Sequence, residues 1–507
     1  MDAHQCNGRA YATSLLVHVV FESGAGATAR RQSVGAETSA GTPDGARRST
    51  MARPNILFSL ADDMGYGDFG CFNDGLSQTP ALDQLVADGV CLTQHYSASP
   101  VCAPARASLL TGRYPHRTGA IDTLELRGLD RLALGERTIA DLLRPAGYVT
   151  GLVGKWHNGA LDARYHPNRR GFDEFAGFSG GWAPYFDWHL DRNGAHAAAD
   201  GRYLTDALTQ EAVEFIHRHR REPFFLHLAY NAPHYPFQSL DDDLAPFTDG
   251  GHTRAVQHIY GMLRSMDRGI ARVLDTLEHE GLADDTLVLF SSDNGPQFGG
   301  RDEMCSDRFN CGFAGAKLSV YEGGIRLPMV LRWPAGLATS RTLPQLVHFT
   351  DWLPTLLAVA GITPPDDLRL DGIDMLPLLQ GEQGRVCAQR FWQWNRYTPV
   401  GECNAAMRDG QWKLVRPAID ALMAVSLDDF AMDVEAKYQP EKYTDILRDL
   451  PTPPADAHPL PSQLFDLAAD PEERHDLAAQ HPDRVLRMEG ALGRWFEEVE
   501  TERRAIA

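Results

Sequence analysis

The sequence predicts an α/β fold: a large, mostly parallel sheet sandwiched by helices, with a smaller C-terminal antiparallel sheet plus helix. Three observations predict it. Short, continuously apolar runs alternate with stretches whose apolar residues recur every 3.6 positions, the pattern of a parallel sheet covered on both faces. Four of those runs end in polar residues able to do chemistry. After about residue 380 the runs shorten and are separated by turns such as Asp409-Gly410, the texture of an antiparallel sheet.

Residues 1–50 stand apart. They are rich in Ala, Gly, Ser, Thr and Arg, with five Arg against four acids. Tyr11–Phe21 followed by the small residues of Gly24–Ala29 is one candidate leader (residues 1–29), which would make the protein periplasmic or secreted. The other reading is a disordered tail or an over-extended frame ahead of Met51, with a cytoplasmic protein. Asn55–Leu60 is the first buried strand and ends at Asp62-Asp63. Thr79-Pro80 opens a helix, with Pro in its first turn, and Gly89 closes it. Tyr148–Val153 is a second strand and runs into Gly154-Lys155-Trp156-His157. Pro223–Leu228 is a third and ends at Asn231–His234. Before the fourth, Ile259, Met262, Leu263, Met266, Ile270, Val273, Leu274 and Leu277 keep a helical stripe. That fourth strand, Thr286–Phe290, ends at Ser292-Asp293-Asn294-Gly295, and Pro328–Leu331 is a further one. Residues 51–385 therefore read as a catalytic α/β domain. Residues 386–507 read as a smaller α+β unit: strands at Arg390–Trp394, Asn404–Met407 and Trp412–Val415, excursion loops over 418–462, and a final helix through Val485–Val499.

Ligands of open parallel sheets bind beyond the carboxyl ends of the strands. That rule gathers Asp62, Asp63, Lys155, His157, His234, Asp293 and Asn294 at one rim. Composition limits what binds there. The chain has 507 residues and a formal charge of −20, which argues against nucleic acid and against an electrostatic membrane anchor. No apolar run approaches the ~20 residues of a membrane span. The eight cysteines include no C-x-x-C pair, so a zinc ribbon is not expected; Cys305 and Cys311 flank a short loop and pair only in an oxidising compartment.

Cys102-Ala103-Pro104-Ala105-Arg106 opens another helix, stopped by Gly112. A Cys at a helix N-terminus is either an activated thiolate or a buried structural residue. Arg106 lies one turn on, on the same face. Cys-x-Pro-x-Arg followed by Ala107–Arg113 closely resembles the signature of the type I, formylglycine-dependent sulfatases. Asn55–Asp63, Gly154–His157, Ala232–His234, Ser292–Gly295, Gly315-Ala316-Lys317 with Tyr321–Arg326, and Leu464–Leu467 with Asp470-Pro471 resemble further motifs of that family, in order, over about residues 51–480.

The resemblance implies an alkaline-phosphatase-like fold with a large mixed sheet, and sulfate-ester hydrolysis of a sulfated carbohydrate or aryl alcohol. It implies that a formylglycine-generating enzyme converts Cys102 to Cα-formylglycine, whose hydrate attacks sulfur. Asp62, Asp63, Asp293 and Asn294, with residue 102, would hold Ca²⁺, Mg²⁺ being less favoured; hard oxygen ligands suit either ion. Arg106 would stabilise the hydrate, and His157 would act as its base or orienting partner. Lys155 and Lys317 would clamp sulfate, and His234 would assist the leaving oxygen. A protonated His157 or His234 would add to the local positive charge. Trp182, Tyr185, Phe186, Trp188 and His189 either stack on substrate or pack an insertion. Arg301, Asp302, Arg308 and Asn310 lie between the Asp293 and Lys317 motifs and are candidates for substrate recognition, as are Trp392, Trp394, Asn395 and Arg396. The partner expected is a small sulfated molecule, with the oligomeric state open. The alternatives are a phosphonate monoester or phosphodiester hydrolase of the same fold, and a binding protein in which residue 102 stays Cys.

Overall fold

The computed structural model describes residues 53–300, 303–439, 442–451 and 458–506. The leader, tail and start-site readings of residues 1–50 therefore lie outside the described residues, as do Arg301 and Asp302.

Ten strands form one sheet, in the order Arg341–His348, Val90–Tyr96, Arg326–Arg332, Thr286–Ser292, Asn55–Ala61, Phe224–Ala229, Val149–Lys155, Glu174–Phe178, His189–Arg192 and Ala195–Ala198. The five from Thr286–Ser292 to Glu174–Phe178 run parallel. Arg326–Arg332 is antiparallel to both neighbours, and an antiparallel hairpin closes the far edge. The sheet is therefore mixed around a parallel centre.

Side chains of the central strands alternate between two cores, as the two-residue period requires. Leu57 and Ala61 join Leu226 and Leu228 under the helices Leu204–His219 and Arg254–His279. Ile56, Phe58 and Leu60 join Phe225 under Cys102–Thr111 and Trp352–Val359. The helical stripe expected from Ile259 to Leu277 is buried in the first core, with Leu274 packed at its edge.

The second sheet is antiparallel, in the order Gln389–Gln393, Ala405–Asp409, Trp412–Arg416 and Gln463–Asp466. Met488, Leu492, Trp495 and Val499 of the helix Pro482–Arg504 pack on it with Met407 and Leu414. The two sheets share a core, in which Trp392, Val415 and Phe465 meet Tyr96 and Ile325. The Trp392 indole also donates to the Ser97 carbonyl at 2.7 Å.

The structure departs from the sequence reading in several places, beginning with sheet strands the sequence did not mark, among them Glu174–Phe178, His189–Arg192, Ala195–Ala198 and Gln463–Asp466. Val90–Tyr96 and Arg341–His348 are sheet strands without a clean apolar run. Buried polar side chains interrupt them, such as His95, whose ring accepts from the Trp352 indole at 2.9 Å. The expected excursion loops over 418–462 contain two helices, Asp420–Met423 and Leu427–Tyr438. Cys305 and Cys311 are both free thiols. No helix among the described residues is long and apolar enough to cross a membrane.

Candidate active site

Four parallel strands deliver their following residues to one rim. Asp62 and Asp63 follow Asn55–Ala61, and Asp293 and Asn294 follow Thr286–Ser292. Lys155 ends Val149–Lys155, two residues before His157, and His234 lies five residues beyond Phe224–Ala229. Leaving the sheet there demands unusual backbone. Asp63 (φ 64°) and His157 (φ 51°) are left-handed, conformations that persist only where surrounding contacts fix them. Gly154 has φ 105°, and a Cβ on it would lie 1.9 Å from the Ala229 carbonyl oxygen. Only glycine lets that strand stay paired while Lys155 enters the site.

The helix Cys102–Thr111 points its first turn at this rim and ends at Gly112, whose φ of 69° makes the left-handed cap. The Cys102 thiol is buried and donates to Asp62 Oδ1 at 3.4 Å. One turn on, Arg106 Nε donates to Asp293 Oδ2 at 2.9 Å, and its Nη2 lies 3.7 Å from Asp62. Lys155 Nζ meets Asp62 Oδ2 at 2.6 Å and Lys317 Nζ meets Asp63 Oδ2 at 2.7 Å. Three cations thus face three buried carboxylates.

Burial and neighbours divide the titrating groups. Burial pushes the Asp62 carboxyl up to about 7 against the pull of Lys155. Burial also works to raise Asp63 and Asp293, but Lys317 and His234 outweigh it at the first, and Arg106 and Lys155 at the second. Both stay below the usual carboxylate range. Burial, then the Asp293 charge, raises the Cys102 thiol, so the activated-thiolate reading fails although the residue heads a helix. Burial and Lys155 hold His157 well below its ordinary value; burial and Lys317 hold His234 at about 3. The expected protonated histidine is therefore corrected: both rings are neutral near pH 7. His157 Nε2 donates to the Thr123 carbonyl at 3.2 Å, which leaves Nδ1 as a buried lone pair with no protein partner. His234 Nδ1 donates to the Tyr235 carbonyl at 2.5 Å, with Nε2 3.6 Å from Asp63.

The donor set fits a divalent cation. Ligand atoms of Asp62, Asp63, Cys102 and His234 lie within 4.8 Å of one another. Asn294 Nδ2 donates to Asp63 Oδ1 at 2.8 Å, while its Oδ1 is buried without a hydrogen-bond donor. An orphaned amide oxygen among carboxylates is chemistry a hard cation satisfies.

A cavity of about 650 Å³ opens over this floor. Cys102, His157, His234 and Lys317 line it, whereas Arg106, Lys155 and the carboxylates lie beneath. Of the recognition candidates, Trp182 and Arg396 line the cavity. None of the other described candidates lines it. Tyr185 is fully buried, its hydroxyl given to the carbonyls of Asn231 and His234, so it shapes the His234 loop. Arg308 is buried against Asp68 at 2.6 Å and donates to the Asp63 carbonyl at 2.8 Å, and so props the metal loop. Asn310 donates to the Gly315 carbonyl at 3.1 Å. Trp188, Trp392, Trp394 and Asn395 are buried, and Phe186 and His189 are exposed away from the cavity lining. Sequence reasoning missed Glu125, Phe430, Asp433 and Val434, which line the cavity, and Lys437, which pairs with Glu125 behind it. For the four on Leu427–Tyr438 the only signal was a short helical pattern inside a Pro- and Asp-rich stretch; Glu125, in a turn far upstream, had none.

Comparison with known proteins bears on this site. The family described as Sulfatase matches residues 54–362, and one described as N-sulphoglucosamine sulphohydrolase, C-terminal, matches 314–452. N-acetylgalactosamine-6-sulfatase of Homo sapiens is 36% identical over 363 residues, 65% of this chain and 66% of that protein. Steryl-sulfatase of Mus musculus is 32% identical over 450 residues, 71% of this chain and 69% of that protein. The chain thus spans about two thirds of the length of these curated relatives. Among solved structures, Ps i-CgsB in complex with k-i-k-neocarrahexaose superposes with TM-score 0.73 at 30% identity, covering 88% of this chain and 93% of that one.

Proposed function

The chain belongs to the sulfatase family, and from that premise we propose that it hydrolyses a sulfate monoester of a sulfated carbohydrate or other alcohol. The observation that carries this reading is the convergence, on the floor of one cavity, of Cys102, Arg106, two lysines, two neutral histidines and three carboxylates. A tetrahedral anion needs fixed positive charge where oxygens gain charge in the transition state, and Lys317 and Lys155 supply it without reorganisation.

Residue 102, once converted by a formylglycine-generating enzyme, would supply a hydrate hydroxyl as nucleophile, and Asp62, Asp63, Asp293 and Asn294 would hold a divalent cation, Ca²⁺ in this reading, that would supply Lewis acidity. Arg106 orients the carboxylates around residue 102 and adds charge of the sign an alkoxide requires. The buried His157 Nδ1 lone pair is the chain's own group that could take up a hydroxyl proton from a converted residue 102. Lys317, an ammonium beside Asp63, could hydrogen-bond the ester oxygen and give the departing alkoxide its proton. His234, its Nδ1–H tied to the Tyr235 carbonyl, lines the cavity with Nε2 3.6 Å from Asp63, where it could assist the leaving oxygen.

Two measurements test the reading. Sulfate, phosphodiester and phosphonate esters of one aryl alcohol are assayed side by side on enzyme whose residue 102 is shown by mass spectrometry to be converted. The sulfate ester is expected to have the highest kcat/KM. A clear preference for either phosphorus ester reassigns the enzyme, and unconverted Cys from a host with the converting enzyme supports a binding role. Prolonged exposure to EGTA is expected to remove activity and lower the melting temperature, with Ca²⁺ restoring both. A ligand at about 100 times its dissociation constant stabilises by about 2.7 kcal/mol. Recovery with Mg²⁺ but not Ca²⁺ would reject the calcium assignment.

A further inference from the structure

The cavity above the sulfate floor has a wall that the rim residues do not predict. The helix Leu427–Tyr438 and the residues before it bring Val425, Phe430 and Val434 to the lining. Leu124, Trp182 and Phe298 add apolar surface to the same cavity. The helix is fastened by Lys437, whose side chain is 5% exposed and pairs with Glu125, and with Asp433 at 3.5 Å. Asp429, at the other end, takes the Arg127 guanidinium and the Tyr397 hydroxyl.

The charged groups around this upper part are already committed. Arg396 pairs with Asp122 at 2.8 Å, donates to the Thr123 hydroxyl at 2.9 Å and lies 4.9 Å above the Trp394 ring. Glu125 accepts from the Gly181 amide as well as from Lys437, and Asp433 from the Trp182 indole at 3.4 Å. Gln297 turns its amide to the Gly299 carbonyl. Outside the sulfate floor, then, the described lining offers two carboxylates and no cation without an acidic partner. A second anionic group on the substrate would meet Glu125 and Asp433, two carboxylates that share the single Lys437 ammonium and so keep a net negative charge. A ring bearing many hydroxyls would lose water against aliphatic and aromatic side chains that cannot replace its hydrogen bonds.

Resting on the sulfatase reading, we infer that this site selects a singly sulfated alcohol with an apolar face and no second anionic group, and that the Leu427–Tyr438 helix sets that selection. The chain's overall charge of −20 acts in the same direction, since it repels polyanions before they reach the cavity.

The test uses three primary-alcohol sulfates, so that leaving groups are similar and differences report on the cavity. They are cyclohexylmethyl sulfate, galactose 6-sulfate, and a 6-sulfated disaccharide that also carries a uronate. Sulfate release by the converted full-length enzyme is expected to give a kcat/KM about tenfold higher for the first than for the second, and about a hundredfold higher than for the third. In Val434→Lys, the cyclohexylmethyl ester should lose about tenfold and the uronate-bearing ester should gain. Phe430→Gln, at a residue 41% exposed, should depress only the apolar ester. Wild-type preference for either sugar ester overturns the inference and leaves the sulfatase reading standing. So does a Phe430→Gln enzyme with an unchanged substrate order. Absence of turnover on all three esters, with residue 102 converted, overturns the sulfatase reading and this inference with it.

Discussion

Cys102→Ala is expected to lower kcat by at least about 10⁴-fold, the scale seen when a nucleophile is deleted from a site whose other parts remain. The fold should survive. The side chain removed is small, and its one polar contact is the 3.4 Å approach to Asp62. Asp62 keeps Lys155 at 2.6 Å and Arg106 at 3.7 Å, so no buried carboxylate is left without a cation. The cost should stay near the ~1 kcal/mol typical of a single substitution, and the melting temperature should move by only a few degrees. Steady-state assay with a circular-dichroism melt checks both halves. An Ala variant with wild-type turnover would remove residue 102 from the mechanism. Cys102→Ser adds a sharper reading: a serine hydroxyl can accept a sulfuryl group but has no second hydroxyl to drive its elimination. A single-turnover experiment followed by mass spectrometry should therefore find a sulfated protein that does not recycle.

How far such a site can be read from sequence depends on how local its causes are. Asp62, Lys155 and Asp293 each follow a buried parallel strand, and parallel strands end on the same side. A continuous apolar run followed by polar residues therefore fixes their rim before any distance is known. The same logic places Arg106 one helical turn from Cys102. The cavity wall has no such signature. Its helix has Asp429 as its one fully buried residue, and what holds it is Lys437 against Glu125, 312 positions apart in the chain. Arg308 misleads for the same reason. In a polar loop between two site motifs it reads as a ligand contact, yet Asp68, 240 positions away, takes its guanidinium into the interior. Local periodicity reports which face is buried; it does not report which distant charge makes burial of a polar group tolerable.

Lys413→Met shows what that distinction is worth in stability. Lys413, on the strand Trp412–Arg416, is fully buried. Its Nζ lies 2.8 Å from Glu322 and 2.8 Å from Glu473. Glu322 also accepts the Tyr96 hydroxyl at 2.7 Å, and Glu473 accepts the Glu322 amide at 2.6 Å. Burial already drives the Glu473 carboxyl up to about 7, with Lys413 the leading influence against it. Burial works on Glu322 in the same direction, but Lys413 and Arg326 outweigh it and keep that carboxyl low. Methionine fills the volume and removes the cation on which Glu473 depends, and on which Glu322 relies together with Arg326, 3.5 Å away. Breaking one side of a buried ionic cluster costs about 3–5 kcal/mol, a large part of the roughly 5–15 kcal/mol that holds a typical protein folded. The midpoint of denaturant unfolding should fall accordingly. Adding Glu473→Gln to Lys413→Met should recover part of the loss, because one of the two stranded charges is gone. An unfolding midpoint equal to wild type would mean that the cluster is solvated or protonated and contributes nothing. The effect should also reach the active site, because Ser97, next to Tyr96, donates to the Asp293 carbonyl at 2.6 Å while the Trp392 indole holds Ser97 from the second sheet. Activity of Lys413→Met should therefore fall at temperatures well below its own unfolding transition. The second sheet is coupled to the metal loop through this chain of contacts, and a lysine that reads in sequence as an ordinary strand residue sits at its origin.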